Sequence, residues 1–201
     1  MDDATKPSVS LHAEQVGATR AAIISAATEL FGHGGYANTT IDQVARAARV
    51  TKGAVYHHYE SKQGLFRAVY ESVEARAQAA TRRRARDASA LDVIRQSASD
   101  YLDAVLDPVV QRITLIDAPA VLGPAPDGPP DEQPQFVALR QFVAAAIKSG
   151  ALARLDPAAV AHLIRGMCLQ AALLIAASPD AAGARKRVGA ALDRMLAGLA
   201  D

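Results

Sequence analysis

The chain has 201 residues, half of them hydrophobic, and its formal net charge is +1. This length suits one large or two small domains with a buried core. Aromatic residues make up only 4% of the sequence and Ala is frequent, a composition that favours helices over sheet. We therefore predict an all-α fold. The single cysteine, Cys168, excludes an internal disulfide and a paired-thiolate metal site.

Two features indicate the cellular compartment. The N-terminal segment MDDATKPSVSLHAEQVG lacks the cationic start and apolar run of an export signal. The longest later apolar stretch without charge, around LQAALLIAAS, is too short to span a bilayer. We predict a cytoplasmic protein with no membrane partner.

Positive charge is concentrated in the first half of the chain. Residues 18–86 contain eleven Lys or Arg and five Asp or Glu, a net charge of +6, so the other residues together carry −5. Such an asymmetry is expected when one end of a protein meets a polyanion. Charge alone leaves open the alternative of an ordinary solvated surface.

The first predicted helix follows a flexible arm. Residues 1–17 are polar and show no periodicity, as in a mobile terminus. In the segment that follows, apolar residues recur at helical spacing as far as Phe31. Gly32, Gly34 and Gly35 are then predicted to end the helix.

Two short helices come next. Thr40, with Gln43 three positions later, matches the capping box that starts a helix. A turn is predicted at residues 49–50, and Thr51 then caps a third helix that starts at Lys52. A fourth helix begins after a serine cap and runs into an arginine-rich stretch.

Two short helices joined by a tight turn and braced by a longer first helix make a helix-turn-helix. We place this three-helix DNA-binding domain at residues 18–64 and a C-terminal helical domain at residues 65–201. In the second domain, Asp107-Pro108, Asp156-Pro157 and Ser178-Pro179 each put a capping residue before a proline. A segment with six prolines in 16 residues, PAVLGPAPDGPPDEQP, is predicted to be a long loop. Helices are predicted near 90–106, 108–116, 133–149, 157–177 and 179–199.

In a helix-turn-helix, the second helix enters the major groove and its first residues reach base edges. Lys52 would reach a guanine edge and Ala54 a thymine methyl, while the small Gly53 lets the backbone come close. Hydroxyl, imidazole and cationic groups around them would bind the phosphate backbone. The predicted DNA contacts are Arg20, Thr40, Arg49, Thr51, Lys52, Gly53, Ala54, Tyr56, His57 and Lys62.

The aromatic and histidine residues of this stretch also fit other roles. His57 and His58 are neighbours on a helix and point about 100° apart, which is poor geometry for holding one metal ion. Tyr59 fits a core position better than a contact with DNA, and Tyr56 could also be a core aromatic. We predict no metal site, no cofactor and no catalytic residue.

Several short motifs between residues 35 and 65 occur in a fixed order. They are Gly35-Tyr36, Thr39-Thr40, Val44-Ala45, Ala48-Arg49-Val50-Thr51, Gly53-Ala54-Val55-Tyr56-His57-His58-Tyr59 and Ser61-Lys62-Gln63-Gly64-Leu65. In order and spacing, this stretch resembles the DNA-binding domain of the TetR family of transcriptional regulators. The resemblance covers less than a third of the chain.

The stretch departs from the TetR pattern at two positions. Arg49 stands where the family usually has Gly, and a non-glycine residue in a left-handed turn costs on the order of 1 kcal/mol. An arginine there could also reach phosphate. Tyr59 replaces a Phe, which is a mild change.

The resemblance implies that residues 65–201 sense a ligand and form a dimer. Apolar residues at helical spacing on the last two predicted helices would build a four-helix interface with a second copy. The alternative is that these residues only cover the core of one chain. The predicted interface residues are Val160, Ile164, Ala171, Ile175, Val188, Leu192, Met195 and Leu199.

Polar groups set in apolar helix faces are the usual orienting groups of ligand sites. We predict a small apolar or amphipathic effector that enters beneath the proline-rich loop. The candidate ligand-binding residues are Tyr101, Asp103, Gln111, Asp117, Phe136, His162, Arg165, Met167 and Gln170.

The function predicted from these patterns is a TetR-like regulator, a homodimeric repressor that an effector releases from a palindromic double-stranded DNA operator. The motifs GxSxG and HExxH and the Walker loop do not occur, which argues against an enzyme. A non-specific architectural DNA-binding protein is the remaining alternative.

Overall fold

The computed structural model describes residues 7–84, 88–123 and 132–199, and every regular element in these ranges is helical. The predicted all-α fold is therefore confirmed. A π-helical segment at Gln111–Asp117 connects two short helices in the middle of the chain. The α-helices are α1 (Pro7–Asn38), α2 (Ile41–Ala47), α3 (Lys52–His58), α4 (Lys62–Arg84), α5 (Ala90–Ala104), α6 (Pro108–Val110), α7 (Ala118–Leu122), α8 (Pro134–Lys148), α9 (Pro157–Ala176) and α10 (Ala181–Ala197).

Helix α1 is longer than the sequence indicated. It begins at Pro7, so residues 7–17, which we predicted as a flexible arm, are helical, and residues 1–6 lie outside the described residues. Extending an existing helix is far easier than nucleating a new one, which is why polar residues can continue it. Of the three glycines predicted to end α1, only Gly35 has non-helical angles, with φ 75° and ψ 161°.

The first core lies between α1, α2, α3 and α4. Phe31 and Phe66 meet edge to face with ring centroids 5.2 Å apart, and the Tyr36 ring packs against both. Leu65 and Phe66 belong to α4 and are fully buried in this core. The predicted domain boundary between residues 64 and 65 therefore cuts through the core, and the first turns of α4 belong to the DNA-binding unit.

A second core is built from α5, α8, α9 and α10. Leu102, Phe136, Ile164, Ile175 and Leu196 are almost completely buried in it. Helix α9 has 20 residues and a mean hydropathy of 1.7 over its most apolar window, enough to cross a membrane by length and composition alone. The prediction from the sequence concerned an uncharged stretch, and α9 includes the charged Arg165. The core helix of a soluble protein passes the same test, and α9 lies in this core.

Acidic caps start three helices of the second half. Asp107 accepts the Val109 N–H at 2.8 Å, and Asp156 accepts the Ala159 N–H at 2.7 Å, as the proline patterns predicted. The prediction for Ser178-Pro179 is wrong, because α10 begins at Ala181 and its cap is Asp180.

The proline-rich segment contains regular structure at its start. Ala118–Leu122 is helical, since a proline is compatible with the first turn of a helix. Residues 124–131 of the predicted loop lie outside the described residues.

The segment Pro108–Leu122, here called the docking segment, joins the two cores. Its Ile113 and Ala118 are buried among residues of the first core. Its Val109 packs directly on Gly32 of α1. A Cβ atom at position 32 would clash with the Val109 side chain unless one of the two moved. The DNA-binding unit therefore completes its core with residues that come much later in the chain.

Candidate nucleic-acid interface and effector site

The predicted capping box at the start of α2 is present. The Thr40 N–H donates to Gln43 Oε1 at 2.7 Å, and the Gln43 N–H donates to Thr40 Oγ1 at 3.3 Å. Two orphan N–H groups at the helix start are satisfied in this way. The first turn of α2 is thereby fixed.

The turn between α2 and α3 is a left-handed cap at Arg49. Arg49 has φ 57°, the conformation that favours glycine. The Val50 N–H donates to the Ala45 carbonyl at 2.9 Å and the Arg49 N–H to the Arg46 carbonyl at 3.2 Å, which is the Schellman pattern. The Arg49 residue is exposed, so its cation is available to a partner.

The N-terminus of α3 is open and has small residues. Thr51 Oγ1 accepts the Ala54 N–H at 3.1 Å, which leaves the hydroxyl proton free to donate to a phosphate. A Cβ atom built on Gly53 would find its nearest neighbour at 3.9 Å, so this face is flat. A nucleic-acid backbone or base edge could approach it closely.

Lys52 is held by a carboxylate that the sequence analysis missed. Its Nζ lies 2.9 Å from Asp42 Oδ2 on α2, and both side chains are more than half exposed. The hydrogen bond to Asp42 and its negative charge raise the pKa of Lys52. The two residues are ten positions apart on different helices, so no helical spacing in the sequence could have shown the pair.

The aromatic residues of α3 separate into an outer and an inner set. Tyr56 is 44% exposed and His57 is also exposed, whereas Val55 beneath them is fully buried. Tyr59 is buried at 7% exposure, and its hydroxyl has no hydrogen-bond partner within the described parts of the chain. The structure thus places Tyr56 on the surface and Tyr59 in the core.

Lys62 lies at the start of α4 against the end of α1. Its Nζ is 4.3 Å from the centroid of the Tyr36 ring and 3.4 Å from the Ala37 carbonyl oxygen. These contacts hold the cation at the junction of α1 and α4. Among the ten predicted DNA contacts, Lys62 and Ala54 are partly buried and the other eight are exposed.

Part of the predicted effector site is brought together. Tyr101 on α5 lies near Arg165 and Cys168 on α9 and near Glu74 on α4, and these groups influence the titration of its hydroxyl. Burial, followed by the influence of Glu74 and Cys168, raises the pKa of Tyr101 to about 12. Burial also raises the pKa of the Cys168 thiol to about 11. Both groups are therefore neutral at physiological pH.

An aromatic contact between α8 and α9 involves a residue one turn before Arg165 on α9. The rings of Phe136 on α8 and His162 on α9 have centroids 4.4 Å apart. Phe136 is buried and Met167 is partly buried in the second core. These three candidates belong to the α8–α9 side of the C-terminal unit.

Three other effector candidates have different surroundings. Asp103 is exposed and pairs with Arg185 at 2.8 Å, and Gln111 donates to the Val105 carbonyl at 2.7 Å. Gln170 is exposed on α9. None of these contacts joins the group around Tyr101.

Asp117 connects the two units. Its carboxylate is buried, accepts the Tyr36 N–H at 2.7 Å and pairs with Arg112 at 3.2 Å. The Arg112 guanidinium packs on Gly35, the glycine with positive φ. Gln63 of α4 adds a bond to the Val121 carbonyl at 2.8 Å. Asp117 is thus satisfied by protein groups at the contact between the two units.

The predicted dimer interface contains mostly core residues. Val160, Ile164, Ala171, Ile175 and Leu192 are at most 5% exposed within one chain, so they have no surface to offer a second copy. Val188 and Leu199 are partly buried against the same core, and only Met195, at 59% exposure, faces outward. The open apolar positions on α9 are Leu163, Leu169, Leu173 and Leu174.

Comparison with known protein families gives two matches that together span most of the chain. Residues 23–69 match the family described as bacterial regulatory proteins, tetR family. Residues 91–199, more than half of the chain, match the family described as tetracyclin repressor-like, C-terminal domain. The chain belongs to the TetR family. The predicted TetR architecture, an N-terminal helix-turn-helix domain followed by a C-terminal helical domain, is confirmed.

Individual TetR-family proteins are similar to different extents. The transcriptional regulator SrpR from Pseudomonas putida is 48% identical over 54 residues, which are 27% of this chain and 25% of SrpR. AcrR from Shigella flexneri is 39% identical over 57 residues, 28% of this chain and 26% of AcrR. The similarity thus spans about a quarter of the length of these relatives.

A solved structure extends the similarity to nearly the whole chain. A TetR-family transcriptional regulator from Pectobacterium atrosepticum is 34% identical, with a TM-score of 0.78, over 93% of this chain and 96% of that one. The chain is therefore a DNA-binding transcriptional regulator of the TetR type, a non-enzymatic class.

Proposed function

We propose that this TetR-family protein is a repressor that binds a pseudo-palindromic operator as a homodimer and releases it when a small effector binds. The observation that carries the DNA-binding part is the N-terminus of α3. It is open, flanked by the exposed Arg49 and Lys52, and held in position by the cap at Thr51. In helix-turn-helix proteins this end of the second helix meets base edges.

The contacts divide into two chemical classes. Lys52 and Ala54 lie where a base edge would be read, whereas Arg49, Thr51 and Lys62 supply hydrogen bonds or charge for phosphates. A homodimer would place two copies of α3 in successive major grooves, with half-sites about 34 to 36 Å apart or a multiple of that distance.

The exposed face of α9 supports the homodimer. Leu163 is 68% exposed and Leu174 is 52% exposed, and Met195 lies on α10, the helix that packs beside α9. Gly166 lies between the leucines on the open face, where a Cβ atom would meet nothing within 4 Å. A second copy packed here would bury this apolar face in a symmetric contact. We therefore propose this face in place of the buried residues that the sequence suggested.

The docking segment offers a route from effector to DNA. It contacts α1 through Val109, α4 through the Val121 carbonyl and the end of α1 through Asp117. An effector that binds one arrangement of the C-terminal helices more tightly would shift this segment and the distance between the two α3 helices. The size of that shift is limited by the effector's differential affinity for the two arrangements.

The first experiment is selection of DNA fragments from a random pool by the purified protein, followed by binding of the winners at several salt concentrations. We expect a two-fold symmetric motif bound far more tightly than random DNA. Affinity governed by salt alone, without a motif, would favour the architectural alternative and contradict the repressor.

Two matched variants separate base reading from phosphate binding. Lys62→Ala is expected to weaken binding to all sequences alike and to lower the salt slope by about one. Lys52→Ala is expected also to relax the sequence preference at one position of each half-site. Identical effects of the two changes on the selected motif would contradict this division.

The homodimer is tested by sedimentation at micromolar concentration. Leu174→Glu is expected to produce monomers, because two charges would be buried at the symmetric contact. Leu155→Glu is the control, since Leu155 is equally exposed, at 50%, but lies outside α9 and α10. A dimer that survives Leu174→Glu would rule out this face.

We propose a cytoplasmic location for the protein, where its DNA partner resides.

A further inference from the structure

Arg165 on α9 has a buried atom without a partner. Its Nη1 is inaccessible to solvent and makes no hydrogen bond within the described parts of the chain. A guanidinium stays protonated at all physiological pH values, so this end carries charge and two donors. A buried donor on a charged group is costly unless an acceptor satisfies it. The fold therefore contains a cationic group for which its described residues provide no hydrogen-bond acceptor at Nη1.

Other polar groups lie near Arg165. Cys168 lies one turn further along α9, and Tyr101 approaches from α5. Because burial raises the pKa of Tyr101 to about 12, its hydroxyl keeps its proton and is a donor. One turn before Arg165, the ring of the exposed His162 contacts the buried Phe136 ring, with centroids 4.4 Å apart.

We propose that Arg165 is the anchor for the carboxylate of an amphipathic effector, with the Tyr101 hydroxyl as a second donor and the effector's apolar part against Phe136 and Met167. This inference rests on the proposed function, because it assigns a chemical class to the same effector. A planar carboxylate accepts two parallel hydrogen bonds from a guanidinium, a match that a neutral amide or alcohol cannot make.

Glu74 is the charge that opposes an anion at this place. It acts on Tyr101 from α4, and it has an interaction of its own in the structure. Nη1 of Arg165 nevertheless stays without a hydrogen bond. Glu74 thus does not accept a hydrogen bond from Nη1 of Arg165. Its negative charge would weaken the binding of an anionic effector. Removing its charge with Glu74→Gln is expected to strengthen carboxylate binding.

The test compares octanoate with octanamide, and benzoate with benzamide, by thermal shift and calorimetry on the full-length protein. Each carboxylate is expected to bind about 10- to 100-fold more tightly than its amide, the difference expected for a hydrogen bond to a charged group. Equal binding of carboxylate and amide, or no binding by either acid, would overturn the proposal.

Variants of Arg165 separate a ligand anchor from a structural role. Arg165→Met is expected to raise the melting temperature of the free protein, because it removes an unsatisfied buried charge. It should also abolish the response to octanoate. Arg165→Lys retains charge without the planar fork and should bind octanoate more weakly than the wild type. Arg165→Met with a lower melting temperature and an intact octanoate response would show that the side chain serves the fold.

The thermal and calorimetric measurements need no DNA. A protein that binds octanoate through Arg165 but selects no operator would contradict the proposed repressor and leave the anion site standing. A protein that selects an operator but does not distinguish octanoate from octanamide would contradict the anion site and leave the proposed repressor standing.

Discussion

Arg49 occupies a backbone position that favours glycine, in the turn on which the orientation of α3 depends. Its φ of 57° costs about 1 to 2 kcal/mol for a residue with a Cβ atom. The Schellman hydrogen bonds of Arg49 and Val50 nevertheless form, so the rest of the turn tolerates this strain. The TetR pattern usually has glycine at this position, and the arginine adds a cation beside the DNA-facing helix.

We predict opposite effects of Arg49→Gly on folding and on binding. The free energy of unfolding should rise by up to about 1 kcal/mol, because the relief of strain exceeds the entropy that glycine adds to the unfolded chain. Operator affinity should fall, and its salt slope should decrease by about one phosphate contact. Urea unfolding and salt-dependent binding measure the two effects. Arg46→Ala, which removes an exposed helical cation, is the control and should not raise stability.

Tyr59 is a second departure from the family pattern with a physical consequence. Its hydroxyl is buried and without a partner in the described structure, and an unsatisfied buried group costs about 1 to 3 kcal/mol. Tyr59→Phe is therefore expected to raise the midpoint of thermal unfolding. Tyr70→Phe is the control, because Tyr70 is about equally buried but its hydroxyl is not among the unsatisfied buried groups of the described structure. A lower midpoint for Tyr59→Phe would mean that the hydroxyl is satisfied in solution.

At the scale of elements, the contact between α1 and the docking segment depends on a missing side chain. A Cβ atom on Gly32 would clash with Val109, so Gly32→Ala is expected to destabilise the protein by about 1 to 3 kcal/mol through overpacking. Chemical denaturation measures the loss. Adding Val109→Ala should restore much of the stability, because it removes the clashing atoms.

Gly17 provides the matched control for this prediction. It lies on the same helix, and a Cβ atom there would meet nothing within 4 Å. Gly17→Ala should stabilise the protein by about 0.5 to 1 kcal/mol, the usual helix preference for alanine. Stabilisation by both substitutions would show that the α1 contact is loose in solution.

The elements differ in how much of them the sequence could predict. The starts of α2, α3 and α9 follow from Thr40, Thr51 and Asp156, because a cap acts on N–H groups two or three residues away. The buried face of α9 could not be predicted, since apolar residues occur all around this helix and periodicity then does not distinguish its sides. The packing of α5, α8 and α10 against α9 determines which leucines remain exposed.

The same limit applies to the candidate sites. The Asp42–Lys52 pair and the Asp117 link to Tyr36 join residues on different helices, and the latter two are 81 positions apart. Such contacts depend on tertiary structure, and neither residue carries a local signal for its partner. The candidate DNA contacts on α3 lie close together in the sequence, so a local motif can suggest them, whereas the candidate effector residues come from several helices.

At the scale of the whole molecule, two buried acids link stability to alkaline pH. Cys168 has its pKa raised from 9.0 to about 11 and Tyr101 from 10.0 to about 12, in both cases mainly by burial. Between the unfolded and folded pKa values the unfolded chain has lost a proton that the folded protein keeps, so stability falls as pH rises. We expect constant contributions from both groups below about pH 8 and a progressive loss above pH 9.

This loss can be assigned by substitution. Urea unfolding between pH 8 and pH 11 should show a shallower decline for Cys168→Ala than for the wild type, by on the order of 2 kcal/mol at the alkaline end. Below pH 8 the difference between the two proteins should no longer change with pH. Identical pH dependence of both would mean that the Cys168 thiol is accessible in the native state.

The burial of Ile113 and Ala118 in the first core also determines how this regulator could be recombined with its relatives. In a hybrid that exchanges only the residues before position 70, Val109, Ile113 and Asp117 would contact the N-terminal unit of another protein, to which they are not matched. Functional chimeras should therefore transplant Pro108–Leu122 together with the N-terminal residues, as one discontinuous module. Biosensors assembled from TetR-family domains could use the boundaries of this module as their fusion points.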